Sequence, residues 1–197
     1  MGEKCYITTS LLSSWQWACK KDRGFDEFVQ ALRKEPKPRT EAMENGIAFE
    51  TLVNARISDL KVEPIPEWES GVKAVSDVVR GSAMQVKLSK DIVVDGQPIL
   101  LYGIADYVKA GTIYDCKFSE KYYNSKYLDS TQHPLYLECL PEADRFIYLS
   151  SDGENLWREE YRREDTPSIV PTIREFLKFL EKQGLTDLYC QNWQCKY

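Results

Sequence analysis

The sequence contains a single histidine and no long apolar run, and each absence excludes a class of protein. No stretch of about 18 apolar residues occurs, so we expect no membrane-spanning helix. Because His133 is the only histidine and no activated serine is evident, a catalytic triad is disfavoured. No glycine-rich loop ending in Gly-Lys-Ser or Gly-Lys-Thr is present, so any motor that works with this protein would be a separate chain.

The N-terminus also lacks the features of a secretion signal. Its first five residues, Met1-Gly2-Glu3-Lys4-Cys5, are followed by polar residues rather than by an apolar segment. Six cysteines without such a signal suggest free thiols in a reducing compartment. We therefore expect a cytoplasmic protein.

Length and composition are those of one globular domain, which we expect to span residues 1–197. The chain is 43% hydrophobic and 29% charged, so it can bury a full core. Its net charge of −5 argues mildly against a nucleic-acid partner. Electrostatics acts locally, however, so an acidic metal pocket can coexist with a basic groove.

An acidic pair in a predicted β-hairpin is the most informative feature of the sequence. Two apolar runs, residues 103–108 and 113–118, flank a four-residue segment. If the middle two residues of that segment form the turn, Asp106 lies opposite Asp115, with Cβ atoms about 4.5–5.5 Å apart. Like charges at that separation repel each other, so the pair favours a cation between its members.

The residues beside Asp115 extend this pattern. Side chains alternate along a strand, so Asp115 and Lys117 share a face while Cys116 points away. Two carboxylates and an ammonium at one spot are what metal-assisted hydrolysis of a phosphodiester requires. The alternative is a solvated strand face that carries two acids and a lysine. A register slip of one residue would move Asp106 to the other face and remove the pair.

Two predicted helices carry further polar residues. The clearer one spans residues 40–60, and Gly46 inside it suggests close packing against a neighbour, because glycine weakens a helix. Glu50 lies at the edge of its buried face, as either a boundary residue or a metal ligand. A second helix, from about Ser130 to Leu140, places Gln132 and Tyr136 on one face. The apolar stripe of the first helix is Ile47, Phe49, Val53, Ile57 and Leu60.

The remaining patterns predict an α/β (α+β) fold. Strands are expected at residues 83–94 and 98–108, joined by a turn at Asp95-Gly96, and this hairpin continues into the one described above. Further strands are expected at residues 145–149 and 156–161. Amphipathic helices are expected near both ends of the chain, after Thr9 or Ser10 and at residues 169–180.

Four motifs stand in order on these predicted elements: Gly46-x3-Glu50 on a helix, Gly103-x2-Asp106 on a strand, Asp115-x-Lys117 on the next strand and Gln132-x3-Tyr136 on the following helix. In this order, over about residues 8–140, the sequence resembles the PD-(D/E)XK nuclease superfamily. It is closest to the RecB-like branch, which includes lambda-type exonucleases. The resemblance implies a restriction-endonuclease-like core, in which a central mixed, mostly antiparallel sheet is flanked by helices.

The resemblance also implies roles for individual residues. Glu50, Asp106 and Asp115 would bind Mg²⁺ or Mn²⁺ together with the backbone carbonyl of Cys116, and the three acids and Lys117 form the expected catalytic set. Because nearby carboxylates should keep Lys117 protonated, we expect it to stabilise charge on the phosphate rather than to act as a base.

Residues beyond the catalytic set are implied to meet the nucleic acid. Gln132 and Tyr136 would hold the active site and the nucleic-acid strand, with Lys121 and Tyr122 as further contacts. Tyr122 belongs to a group of aromatic residues that could stack on unpaired bases, although aromatics at this density more often lie in the core or at its rim. The group also contains Tyr123, Trp15 and Trp17. His133 follows Gln132 and could touch a phosphate, but it is interpreted as a solvated residue at the start of a helix.

The sequence departs from the family pattern in two places. Many RecB-like members carry histidine where this chain has Glu50, and a glutamate there should favour harder metals while leaving the activity class intact. Some relatives hold an iron–sulfur cluster with one upstream and three downstream cysteines. Here Cys19 is followed near the C-terminus by only Cys190 and Cys195, so we do not expect a cluster.

The expected function is therefore metal-dependent hydrolysis of DNA, as an exonuclease acting on ends or single strands. Two alternatives stay open: a non-catalytic nucleic-acid-binding protein on the same scaffold, and a nuclease directed at RNA. The sequence also leaves open a homo-oligomer and a separate helicase or recombination partner.

Overall fold

The computed structural model of this chain describes residues 4–20 and 24–195, so the N-terminal segment that argued against a secretion signal begins outside the described residues. The helices are α1 (Thr9–Lys20), α2 (Gly24–Leu32), α3 (Glu41–Ile57), α4 (Glu69–Val79), α5 (Gln132–Cys139), α6 (Val170–Lys182) and α7 (Thr186–Trp193). The strands are β1 (Cys5–Ile7), β2 (Ala83–Val94), β3 (Gln97–Lys109), β4 (Thr112–Phe118), β5 (Arg145–Ser151) and β6 (Leu156–Arg162). Short 3₁₀ helices occupy Pro66–Trp68 and Arg163–Asp165.

All of these strands belong to one mixed sheet in which β3 is central. Strand β2 pairs antiparallel along one whole edge of β3. The other edge is shared, because β1 pairs parallel with residues 99–101 and β4 pairs antiparallel with residues 107–109. Strand β5 then pairs parallel with β4, and β6 pairs antiparallel with β5. Residues 102–106 of β3 consequently lie in a gap between β1 and β4.

Helices cover both faces of the sheet. One face packs against α1, α2, α5, α6 and α7 through a large cluster that includes Phe146 and Tyr148. The other face packs against α3 and α4 through a smaller cluster that includes Leu149. Neighbouring residues of β5 point to opposite faces, and residues 146–149 in its middle are all apolar, as expected for a strand buried on both sides. The predicted mixed α/β fold, with a mixed sheet flanked by helices, is confirmed.

Local signals placed most elements correctly. The Asp95-Gly96 and Ala110-Gly111 turns both have positive φ at their two central residues, with values of 50° and 84° and of 47° and 74°. This geometry matches the twist of the strands that the turns join. Thr40 caps α3 by accepting a hydrogen bond from the Met43 N–H at 3.3 Å. Among the described helices, none is both long and apolar enough to cross a membrane.

Three expectations about α3 were wrong. A methyl group added at Gly46 would meet no atom of residues 4–20 and 24–195 within 4 Å outside the helix backbone, so Gly46 does not mark close packing. Ile47 is 47% exposed and lies on the solvent side, so it does not belong to the apolar stripe. Leu60 is 67% exposed and follows the helix, which ends at Ile57. Phe49 and Val53 are the fully buried residues of the predicted stripe.

The expectation that His133 is solvated was also wrong. His133 is buried, because α5 turns this side chain onto the sheet, where it stacks on Tyr161 with ring centroids 3.9 Å apart. Its Nδ1 lies 3.3 Å from the Tyr148 hydroxyl. Burial lowers the pKa of His133 to about 4, so it is a neutral core residue at physiological pH.

Candidate active site

The candidate site begins where β3 and β4 separate. Their ladder runs from the turn to the Tyr107–Tyr114 pair, in the register that the sequence predicted, and then stops. Beyond that pair, the Asp106 Oδ2 accepts a hydrogen bond from the Cys116 N–H at 2.9 Å. The side chain of Asp106 thus takes the place of the next ladder bond. Asp106 and Asp115 flank the fork between the two strands.

Asp115 lies in this fork with its side chain only 4% exposed. Its Oδ1 accepts a hydrogen bond from Gln132 Nε2 at 2.5 Å. Its Oδ2 lies 2.7 Å from Lys117 Nζ, but the approach is outside hydrogen-bonding geometry. Among the described residues, Oδ2 therefore has an ion pair but no hydrogen bond, which leaves a buried carboxylate oxygen with capacity for another partner.

Lys117 faces the same side as Asp115, as strand alternation predicted, and its side chain is 36% exposed. Burial alone would lower the pKa of Lys117, but the negative charges of Asp115 and Asp106 outweigh it and raise the pKa above the usual lysine range. Lys117 is therefore an ammonium at neutral pH, which can donate hydrogen bonds but cannot accept a proton.

Glu50 approaches the fork from α3, on the opposite side of the sheet from α5. Its Oε1 accepts a hydrogen bond from Gln85 Nε2 at 2.8 Å. Burial raises the pKa of Glu50, a hydrogen bond from Asn54 partly offsets this rise, and the charge of Asp115 adds to it. Asn54 is itself oriented by the Tyr107 hydroxyl, which donates to Asn54 Oδ1 at 2.7 Å.

Among the three carboxylates, Asp106 has the most strongly shifted pKa. Burial, reinforced by the negative charges of Asp115 and Glu50, raises the pKa of Asp106 to about 8. The hydrogen bond from the Cys116 N–H and the charge of Lys117 act in the other direction but do not balance the effect. The cluster therefore carries more negative charge than its surroundings compensate, and a proton or a cation would relieve it.

Helix α5 holds the other side of the fork through Gln132 and Tyr136. The Tyr136 hydroxyl donates to the Ile104 carbonyl at 3.0 Å, within the gap between β1 and β4. The ring of Tyr136 lies directly on Gly103, where an added Cβ would stand 2.3 Å from Cε1. Gly103 is therefore needed so that α5 can approach β3. This approach brings Gln132, one turn before Tyr136, to Asp115.

The remaining predicted residues lie near the fork but outside the acidic cluster. Cys116 contributes its N–H to Asp106, and burial raises the pKa of its thiol well above the usual range, so the thiol is inert. Lys121 is exposed on the loop after β4. Tyr122 stacks on Trp157 at a centroid distance of 5.2 Å, and its hydroxyl lies 3.1 Å from Glu159 Oε2.

Two residues of the site escaped the sequence analysis. Asn54 follows Glu50 by one helical turn, so the spacing alone could have identified it. Gln85 lies on β2 between the Met84–Tyr107 and Val86–Ala105 pairs of the β2–β3 ladder and has a φ of 50°, which is unusual for a side-chain-bearing residue in a strand. No sequence signal marks it, because a glutamine in a strand is ordinary. Backbone strain of this kind clusters at functional sites.

The chemistry of these side chains fits a hard divalent cation. The three carboxylates supply the oxygen ligands that Mg²⁺ and Mn²⁺ prefer, and Asp115 Oδ2 is buried without a hydrogen bond. Among residues 4–20 and 24–195, no group of three or more His, Cys, Asp and Glu side chains is already arranged to hold a metal ion. Each carboxylate is instead held by protein donors, so a bound cation would replace part of these contacts.

Comparisons with known proteins bear on the fold alone. Protein-family models give no match to the sequence, and curated proteins give none either. Twelve chains of solved structures match. One of them, the crystal structure of SSO0001, has a TM-score of 0.56 and 13% sequence identity, over 93% of this chain and 78% of that chain. At this identity, the similarity extends to the arrangement of helices and strands and not to activity.

Proposed function

We propose that this protein is a divalent-metal-dependent deoxyribonuclease of the PD-(D/E)XK superfamily, close to the RecB-like and lambda-exonuclease branch. Residues 1–197 would then form one domain with a restriction-endonuclease-like core. The expected reaction is hydrolysis of DNA phosphodiesters at ends or in single strands. The observation that carries the proposal is the convergence of Glu50, Asp106, Asp115 and Lys117 at the fork between β3 and β4.

The acidic residues would hold the metal. Glu50, Asp106 and Asp115 provide carboxylate oxygens, and the Cys116 carbonyl remains a candidate ligand. When bound, Mg²⁺ or Mn²⁺ neutralises phosphate charge and makes an attacking water more acidic. In the reaction, the oxygen of a water molecule would form a bond to phosphorus as the bond from phosphorus to the leaving oxygen breaks. The attacking water would release a proton to solvent, and the leaving oxygen would take up a proton from solvent.

Protein side chains orient the substrate and stabilise the developing charge. Lys117 is a protonated donor beside Asp115, so it is suited to the phosphate oxygens rather than to removing the water proton. Gln132 fixes the Asp115 carboxylate through one oxygen, and the other oxygen forms the ion pair with Lys117. Gln85 and Asn54 fix Glu50 in the same manner from the opposite side of the sheet.

Incubation of end-labelled DNA with Mn²⁺, or with EDTA, tests the proposal. Wild-type protein should release nucleotides only with Mn²⁺. Lys117→Ala should lower the rate by about 10²–10³-fold, the usual effect of removing one charge-stabilising donor. Lys178→Ala, an exposed lysine on α6, is the matched control and should retain full activity.

The same assay separates the alternatives. Binding of DNA without cleavage in Mn²⁺ would indicate a non-catalytic nucleic-acid-binding protein. Faster cleavage of single-stranded RNA than of single-stranded DNA would indicate an RNA-directed nuclease. Cleavage that persists in EDTA, or that Lys117→Ala does not change, would contradict the mechanism.

A further inference from the structure

Gly46 stands in the interior of α3 without a structural reason. Glycine weakens a helix relative to alanine, so it needs an explanation at such a position. Among the described residues, none lies within 4 Å of an added methyl group apart from the helix backbone, so steric crowding does not require glycine. The φ of Gly46 is negative, so the backbone conformation does not require it either. At Gly46 the surface of α3 therefore carries no side chain and leaves open space beside the helix.

Along α3, Gly46 lies between the acidic cluster and a neighbouring cavity. Ala42, Gly46 and Glu50 are four residues apart and therefore form one row along α3. Glu50 ends the row at the fork between β3 and β4. Ala42, at the other end, lines a cavity of about 460 Å³ together with Asn45. The row is thus a continuous surface with small side chains at each position before Glu50.

The opposite wall of the cavity also starts at the acidic cluster. Strand β4 passes from Lys117 directly into Phe118 and the loop that follows it, which lines the cavity with Lys121, Tyr123 and Lys126. The loop contributes one acidic residue, Glu120, against the two lysines. Tyr123 is 63% exposed, so its ring presents an apolar surface to the cavity.

This wall is fixed in place by a buried carboxylate on β6. Glu159 is only 9% exposed and accepts hydrogen bonds from the backbone N–H groups of Lys126 and Tyr127, at 3.1 and 2.9 Å. It also accepts hydrogen bonds from the hydroxyls of Tyr122 and Tyr161. The lysines and Tyr123 are therefore carried by an ordered loop, and a ligand would not need to order it.

We propose that a single strand of DNA runs from the acidic cluster past Gly46 into this cavity, with its phosphates facing Lys121 and Lys126 and a base against Tyr123. This inference rests on the proposed nuclease function. The ammonium groups suit phosphates, and the exposed ring suits an unpaired base. The volume of the cavity, about 460 Å³, is within the range of pockets that hold one small ligand. It therefore suits one nucleotide of a single strand rather than a duplex.

Larger side chains at Gly46 and Ala42 test this path. In a Lys117→Ala background, which limits cleavage, the binding of fluorescein-labelled single-stranded DNA is measured by fluorescence anisotropy with Mn²⁺. Gly46→Leu and Ala42→Leu should each weaken binding by about tenfold or more, because the added side chain obstructs the strand and costs it at least one charged hydrogen bond from a lysine to a phosphate. Thr51→Leu adds bulk on the exposed opposite side of α3 and should bind like its parent.

Stability measurements separate blocked binding from damaged folding. Gly46→Ala should raise Tm by about 2–4 °C, because it strengthens the helix, yet it should still weaken DNA binding. If wild-type protein cleaves DNA while Gly46→Leu and Ala42→Leu bind like Thr51→Leu, the path is wrong and the nuclease proposal stands. If wild-type protein neither binds nor cleaves DNA with Mn²⁺, both proposals are wrong.

Discussion

Gly103→Ala is the substitution whose consequence follows most directly from the geometry of the site. The new Cβ would lie 2.3 Å from Cε1 of Tyr136 and 2.8 Å from its Cζ. Tyr136 is only 5% exposed, and its hydroxyl is bonded to the Ile104 carbonyl, so the ring cannot simply rotate into solvent. The contact is relieved only if α5 moves away from β3.

The cost of this movement can be estimated. Overpacking of a buried site costs about 1–3 kcal/mol, and a strained or lost hydrogen bond adds about 1 kcal/mol. Replacing glycine restricts the unfolded chain and returns about 0.4–1 kcal/mol. The net loss of unfolding free energy should be about 1–3 kcal/mol, which lowers Tm by about 2–12 °C for a chain of this size.

Urea unfolding of wild type, Gly103→Ala, Tyr136→Leu and the double variant measures this effect. Tyr136→Leu removes the ring that Cβ would meet, so Gly103→Ala should cost much less in its presence. Gly46→Ala makes the same chemical change in open space and should stabilise the protein instead. Because α5 also carries Gln132, Gly103→Ala should reduce DNA cleavage at temperatures where the protein remains folded. An unchanged urea midpoint for Gly103→Ala would refute the close approach of Tyr136 to β3.

Two further predictions concern the acidic cluster. Since the pKa of Asp106 rises from its ordinary value near 3.8 to about 8 on folding, the folded protein holds this proton more tightly than the unfolded chain. Metal-free protein should therefore lose stability as pH rises from about 4 to about 8, by at most about 1.4 kcal/mol per pH unit. Asp106→Asn should remove this part of the dependence in thermal unfolding with EDTA, and identical pH profiles would contradict the assignment. For Gln85, whose φ is 50°, Gln85→Gly should be about 1 kcal/mol more stable than Gln85→Ala, while both should lower DNA cleavage about 10–100-fold through the loss of the hydrogen bond to Glu50. Equal stability of the two variants, or full activity in either, would show that Gln85 is not a strained positioning residue.

The sequence predicted the parts of the site that depend on local periodicity. Alternation along β4 placed Asp115 and Lys117 on one face, and the Ala110-Gly111 turn set the register of the β3–β4 ladder. The separation of the two strands beyond Tyr107 was not predicted. It depends on the Asp106 side chain, which replaces a hydrogen bond of the ladder by accepting from the Cys116 N–H. A pattern of apolar residues does not predict such a side-chain contact.

Other features were missed because their signals lie far apart in the chain. Strand β1 is only three residues long and pairs with β3 across more than ninety residues of sequence, so periodicity could not detect it. His133 looked like a polar residue at a helix start, but its stacking partner Tyr161 lies on a strand that follows later. Gly103 was recognised as part of a motif, while its reason, the ring of Tyr136, appears only in the packed structure.

The central proposal is that the acidic residues at the fork form a cation site. Its most direct test is calorimetric titration of Mn²⁺ into wild-type protein, Asp106→Asn and Lys117→Ala. The account predicts binding to wild-type protein, binding at least about tenfold weaker to Asp106→Asn because one carboxylate ligand is lost, and persistent binding to Lys117→Ala. An absence of Mn²⁺ binding to wild-type protein, or equal affinity of wild type and Asp106→Asn, would contradict it.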